Sequence, residues 1–378
     1  MRVAWALLPE GLRERVELRF DASGALSHVE PAGPGPCIQA LAIPGLCNAH
    51  THLELSGLEQ PGGQGLPAWV GGTLAQRASR STAQTVAAIE AALTTLHQRG
   101  TASVGEVTNS RISDGPLSTS PMQGVVFHEV LGIHPGGVDE SLAAVHGPSP
   151  SGFTLRAIPH APYSCAPELL VAAVKSPALC GGGWPTMHLD EDPAERQFLM
   201  TGDGPWADVL DHLGRDRSQF VPPECTPVQY LERLGILDRV APVHCTLTEG
   251  EDLRRLAQAG SPTVLCPRSN LHISGRLPAV EDMLAAGVRL ALGTDSLASA
   301  PSLDVLDEVR LLWERFPQVP LETWLLAATQ GSGEVLGTPA RLEVGSAHPV
   351  LLLMGSGPHA WLDPHGERRW VETPKETP

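Results

Sequence analysis

Between residues 41 and 315, short apolar segments alternate with longer stretches of helical periodicity, and that repeated strand–helix rhythm confines the chain to a parallel sheet covered by helices. Eight segments read as strands: Leu41 to Cys47, Ala102 to Val107, Gly124 to Leu131, Thr154 to Pro159, Gly183 to His188, Val240 to His244, Thr263 to Cys266, and Val288 to Gly293. Amphipathic stretches lie between or after them, among them Thr82 to His97, Pro167 to Lys175, Glu249 to Ala259, Val280 to Ala286 and Leu303 to Arg315. Eight strands with seven connections predict an α/β fold, a closed (β/α)8 TIM-like barrel. Periodicity alone suits an open doubly wound sheet equally.

A barrel of this kind needs roughly 250 residues, so a chain of 378 leaves room for an appendage. The flanks supply it: Arg2 to Leu7, Val16 to Phe20 and Val350 to Met354 are strand-like runs among Gly and Pro, without helical period. The predicted division is a barrel over residues 44–337 and a small β-sandwich domain built from residues 1–43 plus 338–378. Two long segments, Thr201 to Pro223 and Glu59 to Ser81, read as loops placed to act as a lid or substrate loop.

Charge narrows the partners. A formal net charge of −16 opposes binding to phosphate backbones and to anionic membranes, which excludes nucleic-acid polymers and membrane surfaces and leaves a small, neutral or cationic ligand. The seven cysteines, among them Cys180, show no CxxC pair or regular spacing, so no disulfide framework is expected. Met1 to Phe20 lacks an apolar run ending in a cleavage site, and no segment reads as a membrane span; the expected location is the cytoplasm. Homo-oligomerisation is left open.

In a (β/α)8 barrel the working residues stand at the C-terminal strand ends. Here the first strand runs into His50 and His52, the fourth into His160, the fifth ends at His188, the sixth at His244, and Asp295 follows the eighth. With fifteen histidines about one His-x-His pair arises by chance, so the pair alone says little. Singly, His188 or His244 reads as a structural histidine and Asp295 as a turn cap. Together on one rim they form a nitrogen and oxygen donor set suited to a divalent ion such as zinc.

The motifs Pro44-Gly45-Leu46-Cys47-Asn48-Ala49-His50-Thr51-His52, His160-Ala161-Pro162-Tyr163-Ser164, His188-Leu189-Asp190-Glu191, Val243-His244-Cys245, Cys266-Pro267-Arg268-Ser269-Asn270 and Leu292-Gly293-Thr294-Asp295-Ser296 resemble the amidohydrolase superfamily, in its branch of cytosine-deaminase-like and adenosine-type deaminases. Their wording is closer to aminofutalosine deaminases and related aminopurine nucleoside deaminases than to triazine hydrolases. The resemblance implies that His50, His52, His188 and Asp295 hold one divalent metal ion, zinc, with iron or manganese as alternatives. It implies a water whose pKa falls from 15.7 to about 7, with His244 beside it and Asp295 accepting its proton. Glu191 would be the general acid and base, since attack on an amidine carbon needs a protonated ring nitrogen and the departing amine needs a proton. His160, Trp69 and Asn270 are the expected substrate contacts, with Glu106, Glu129 and Arg268 as weaker candidates.

Lysine occurs only at Lys175 and Lys375. Binuclear members of the superfamily bridge their metals with a carboxylated lysine at the end of strand four, where this chain has His160, so one ion is expected. His52-Leu53-Glu54 imitates the start of another zinc-deaminase pattern, but no Cys-x-x-Cys follows; Glu54 reads as a wall of the site. Gly181-Gly182-Gly183 lacks the lysine of a phosphate loop. The expected activity is hydrolytic deamination of an amino-substituted heterocycle such as an aminopurine nucleoside. The alternatives are hydrolysis of a cyclic amide, amidine, guanidine or aryl halide at the same site, or a noncatalytic binding protein.

Overall fold

Seven of the eight expected segments form barrel strands, and with the strand that follows the first segment they make eight parallel strands, arranged as two four-stranded ladders. In the computed structural model, which describes residues 1–62, 65–134, 137–143, 145, 147–176 and 183–372, Cys180, Gly181, Gly182 and Lys375 fall outside the described residues. The terminal strands are β1 (Arg2–Leu8), β2 (Gly11–Phe20), β3 (Leu26–Pro31) and β4 (Ile38–Pro44). The barrel strands are β5 (Leu46–Thr51), β6 (Thr101–Thr108), β7 (Gln123–Val130), β8 (Phe153–Pro159), β9 (Thr186–Leu189), β10 (Ala241–His244), β11 (Thr263–Leu265) and β12 (Leu290–Leu292). Two more, β13 (Val350–Met354) and β14 (Arg368–Trp370), return to the terminal sheet.

The ladders run β5-β6-β7-β8 and β9-β10-β11-β12, parallel throughout. Backbone bonds close both seams. His188 N donates to His160 O across one seam at 3.0 Å. Across the other, Thr294 N and Asp295 N donate to His50 O at 3.0 and 3.1 Å, and His52 N donates to Asp295 O at 2.7 Å. The closed sheet excludes the doubly wound alternative.

Close approach at the second seam demands glycine at 293. A Cβ placed there would stand 2.8 Å from both the Cβ and the carbonyl oxygen of His50, so no larger residue fits without moving the strand that carries the His-x-His pair. Asn48 locks the same place from inside, donating to Thr294 Oγ1 at 2.7 Å while accepting from Thr294 N at 3.2 Å.

The terminal strands form the expected small β domain from both ends of the chain. Hydrogen bonds join them in one mixed sheet of order β14-β13-β4-β1-β2-β3. Period-two alternation splits its side chains between two cores. Val3, Ala6, Leu8, Val16, Leu18, Leu26, Ala42 and Val350 pack with one another, which one sheet achieves only by curling over its own face. Leu7, Leu41, Ile43, Leu351 and Leu353 face the other way and join the main barrel core. Backbone bonds between Leu26 and the Gly345–Ser346 turn tie the far edge of the curl to the segment entering β13.

The single strand expected over Leu41 to Cys47 is two. Ile38–Pro44 pairs with β1 and β13, whereas Leu46–Thr51 pairs with β6, so the chain changes sheets at Gly45. The two segments read as loops contain helices, Leu66–Ala78 and Pro205–His212. Both escaped notice because Gly and Pro surround them, yet proline within the first turn starts a helix as readily as it ends one. Trp206 and Leu210 on the second are buried, as is Leu66 on the first.

Gly293→Ala should lower stability by about 1–3 kcal/mol, the usual range for overpacking, and should reduce the metal content of the purified protein. Denaturant unfolding and elemental analysis check both; an unchanged midpoint would show that the seam has slack.

Candidate metal centre and active site

The strand ends bring His50, His52, His188, His244 and Asp295 into one cluster. Backbone geometry there is strained: Asp190, His244, Cys245 and Asp295 all take positive φ, from 46° to 75°, which non-glycine residues rarely adopt. Each follows or ends a short strand, and the turn out of the sheet aims the side chain inward. Strain of this kind gathers at functional sites, where the surrounding fold holds it in place.

Could these residues hold an ion? His50 answers most directly. It is fully buried, and neither ring nitrogen has a hydrogen-bond partner. A buried imidazole left unpaired costs free energy unless something binds it. Its Nε2 lies 3.8 Å from Asp295 Oδ1, and His52 Nε2 lies 3.5 Å from the same oxygen. The donor atoms of His50, His52 and His188 fall within 4.8 Å of one another. Burial and the neighbouring histidines hold the His50 pKa well below its usual value, leaving the neutral form that a metal needs. The set fits one divalent ion.

The second oxygen of Asp295 is already engaged. Ser269 Oγ donates to Oδ2 at 2.5 Å and Ser299 Oγ at 2.7 Å, so only Oδ1 faces the histidines. Burial pushes this carboxyl up, but His52, His244 and the two hydroxyls outweigh it and hold it below its ordinary range. Asp295 is thus no turn cap; its partners are side-chain hydroxyls. Ser269 had no sequence signal beyond lying in a quoted motif, and Ser299 had none.

Glu191 behaves oppositely. Its Oε2 stands 3.6 Å from His244 Nε2 and 3.9 Å from His188 Nδ1. Burial, then the charge of Asp295, raises its pKa well above the usual carboxylate range. Helix Pro193–Thr201 does begin nearby, yet its end is served by others: Asp192 accepts from Ala194 N, and Glu195 accepts from Glu191 N. Glu191 is left to face the cavity. The two buried carboxyl groups thus have pKa values pushed apart, the split that an acid and base pair needs.

The cavity of about 480 Å³ has these groups at its floor. His160 reaches it from the end of β8. Ser164 Oγ donates to Ala161 O at 3.1 Å, so it accepts from His160 Nδ1 at 2.7 Å, and the Nε2 lone pair stays free. Burial pulls the His160 pKa down to about 4. Trp69 lines the upper wall, its indole held by a 3.0 Å bond to Ala298 O. Trp206, from the second covering helix, stacks on Tyr163 with ring centroids 4.2 Å apart. Sequence reasoning missed Trp206, because a helix hidden in a presumed loop gave no periodic signal. Glu54 lines the cavity and takes bonds from Thr108, Ser110 and Arg77.

Three candidates for substrate contact are placed elsewhere. Asn270 is fully buried outside the cavity wall, its amide 3.1 Å from His244 Nδ1, because the helix Pro267–Ser274 turns it toward β10. Arg268 is consumed by Glu308 and Asp307, and Glu106 accepts from Leu53 N. Glu129 does reach the cavity, where its Oε1 meets His188 Nε2 at 3.2 Å.

The sequence profile described as the amidohydrolase family matches residues 41–347. The chain belongs to the amidohydrolase family. It is 32% identical over 321 residues to an aminodeoxyfutalosine deaminase of Deinococcus radiodurans, covering 79% of this chain and 74% of that protein. It is 28% identical over 364 residues to a 5-methylthioadenosine/S-adenosylhomocysteine deaminase of Moorella thermoacetica, covering 88% and 80%. In fold it matches the Helicobacter pylori aminofutalosine deaminase solved with methylthio-coformycin, with a TM-score of 0.81 and 20% identity over 99% of this chain and 98% of that one. Atrazine chlorohydrolase from Arthrobacter aurescens TC1, solved with zinc, matches with a TM-score of 0.72 and 20% identity over 94% and 86%. This amidohydrolase is therefore a metal-dependent enzyme of deaminase type.

The lysine that would bridge two ions is missing from the site: β8 leads into His160, and Lys175 is exposed at the end of helix Pro167–Lys175. Purified protein should carry about one equivalent of divalent metal, and His188→Ala should bind it at least about tenfold more weakly. Metal titration measures this; two equivalents in the native protein would overturn the single-ion reading.

Proposed function

We propose that this amidohydrolase deaminates an adenosine-like purine nucleoside by hydrolysis, replacing the exocyclic amine with oxygen and releasing ammonia. Glu191 carries the reading. A buried carboxyl group that keeps its proton, set within 4 Å of two site histidines, is what an amine leaving group requires and what plain activation of water does not. Relatives named for 5-methylthioadenosine and aminodeoxyfutalosine support the substrate class.

In this proposal His50, His52, His188 and Asp295 hold one ion, zinc by the character of the donors. When bound, the ion lowers the pKa of water and makes hydroxide available near neutral pH. Glu191 protonates the ring nitrogen next to the carbon under attack, so electron density moves off that carbon. Asp295 Oδ1 takes a proton from the attacking water; as the C–N bond breaks, Glu191 passes the proton of the newly formed hydroxyl to the departing amine, which leaves as ammonia, and Asp295 then gives its proton back to Glu191. His244 Nε2 faces Glu191 and donates to oxygen as charge develops there. His160 meets the substrate through its free Nε2, and Trp69 gives the heterocycle a flat wall.

The same reading divides the chain into a catalytic barrel of residues 44–337 and an accessory domain of residues 1–43 plus 338–378. The substrate is a small molecule, in keeping with the cavity volume and the net charge of −16. We also propose a cytoplasmic enzyme without nucleic-acid or membrane partners. Six described cysteines are unpaired, and among the described residues no helix is long and apolar enough to cross a membrane.

Ammonia release measured across adenosine-like, aminofutalosine-like, guanine and triazine compounds tests the substrate class, with turnover expected for the adenosine-like ones. Turnover confined to a substrate without an amino group would replace deamination with another hydrolysis. Glu191→Gln should keep its metal and lose at least about a hundredfold in kcat; near-normal kcat would remove Glu191 from the mechanism.

A further inference from the structure

Two residues left without a catalytic part, Asn270 and Glu129, sit at opposite ends of one hydrogen-bonded chain through the site. Asn270 Nδ2 lies 3.1 Å from His244 Nδ1, His244 Nε2 lies 3.1 Å from His188 Nδ1, and His188 Nε2 lies 3.2 Å from Glu129 Oε1. All four members are buried, Asn270 completely.

The ends give the row a direction. An amide NH2 can only donate, so His244 Nδ1 accepts and its proton is on Nε2. An ionised carboxylate can only accept, so His188 Nε2 carries the proton and Nδ1 keeps its lone pair. The middle contact then has one donor, His244 Nε2–H, and one acceptor, His188 Nδ1. Three contacts, two neutral imidazoles and two end groups agree on a single arrangement of protons.

We infer that Asn270 and Glu129 are positioning residues that set the tautomers of His244 and His188 from outside the reacting centre. The inference rests on the proposed roles of those histidines. With Glu129 as its partner, His188 turns the lone pair of Nδ1 into the site, where the N–H of His244 now holds it and where a metal ion would take that N–H's place. With Asn270 as its partner, His244 keeps its proton on Nε2, an N–H that an ion on His188 would release to serve oxygen. The fold makes the second clamp rigid. Helix Pro267–Ser274 rises from β11, which lies between β10 and β12, so its first turn stands between His244 and Asp295. Consecutive helical residues point about 100° apart; Ser269 thus reaches Asp295 while Asn270 reaches His244.

The test is nitrogen-15 histidine NMR of the zinc-loaded protein, with the His244 signal identified by its loss in His244→Gln. The expected wild-type pattern is a protonated Nε2 and a bare Nδ1 at His244, and a protonated Nε2 at His188. Asn270→Asp keeps the size of the side chain but turns the donor into an acceptor, so it should place a proton on His244 Nδ1. It should also lower kcat by about tenfold to a hundredfold with KM and zinc content unchanged. Glu129→Gln should weaken zinc binding by a similar factor, as loss of an outer partner does. Should Asn270→Asp fail to fold, Asn270→Ser removes the donor with less change in charge and should lower kcat in the same way. A wild-type His244 carrying its proton on Nδ1, or a pattern unchanged in the Asn270 variants, overturns the inference. A wild-type enzyme that releases no ammonia from any nucleoside overturns deamination instead, and the NMR result stands apart from it.

Discussion

The backbone bonds from Thr294 and Asp295 to the carbonyl of His50 are the constraint on which the rest depends. They close the barrel, and they do so at the residues that supply the chemistry. Two metal-capable side chains at the end of β5 and a carboxylate after β12 lie far apart in sequence; the closing seam makes them neighbours in the same few ångströms. A barrel that opened here would lose its last ladder and its ion site together. Gly293 and Asn48 make sense in these terms, the first by leaving room for the approach and the second by tying the strands side chain to backbone.

Around that seam the environment separates groups of the same chemistry. Asp295 and Glu191 are both buried carboxyls, but two serine hydroxyls stabilise the anion of the first, and nothing comparable reaches the second. The histidines are divided likewise. Burial lowers the His244 pKa to about 3 and that of His160 to about 4, so both are neutral, and their partners choose which nitrogen is presented. For Glu129, burial would raise the carboxyl, but His160 and its bond to His188 hold it near the bottom of its range, at about 2. Its charged form is the one that can orient His188.

Much of the architecture was readable because strands and helices differ in the period of their apolar residues. Seven of the eight barrel strands were legible, as was the placement of His50, His52, His160, His188, His244 and Asp295 at strand ends. What was lost follows physical rules too. The break at Gly45 is invisible because one apolar run continues through it, and only pairing partners reveal two sheets. The covering helices Leu66–Ala78 and Pro205–His212 were hidden by Gly and Pro whose role is to start them. Asn270 was taken for a substrate contact because its motif lies on the rim; helical geometry turns it inward, onto His244.

By itself, then, the sequence determined the order of strands and helices and the kinds of donor at each strand end, since both are local: they depend on periodicity and on residue type. Tertiary structure alone decided which atoms meet. Whether a carboxyl keeps its proton, which imidazole nitrogen is bare, and which rim residue faces the cavity all depend on groups brought from distant strands. Those properties arise from burial and from directional hydrogen bonds, and neither exists until the barrel has closed.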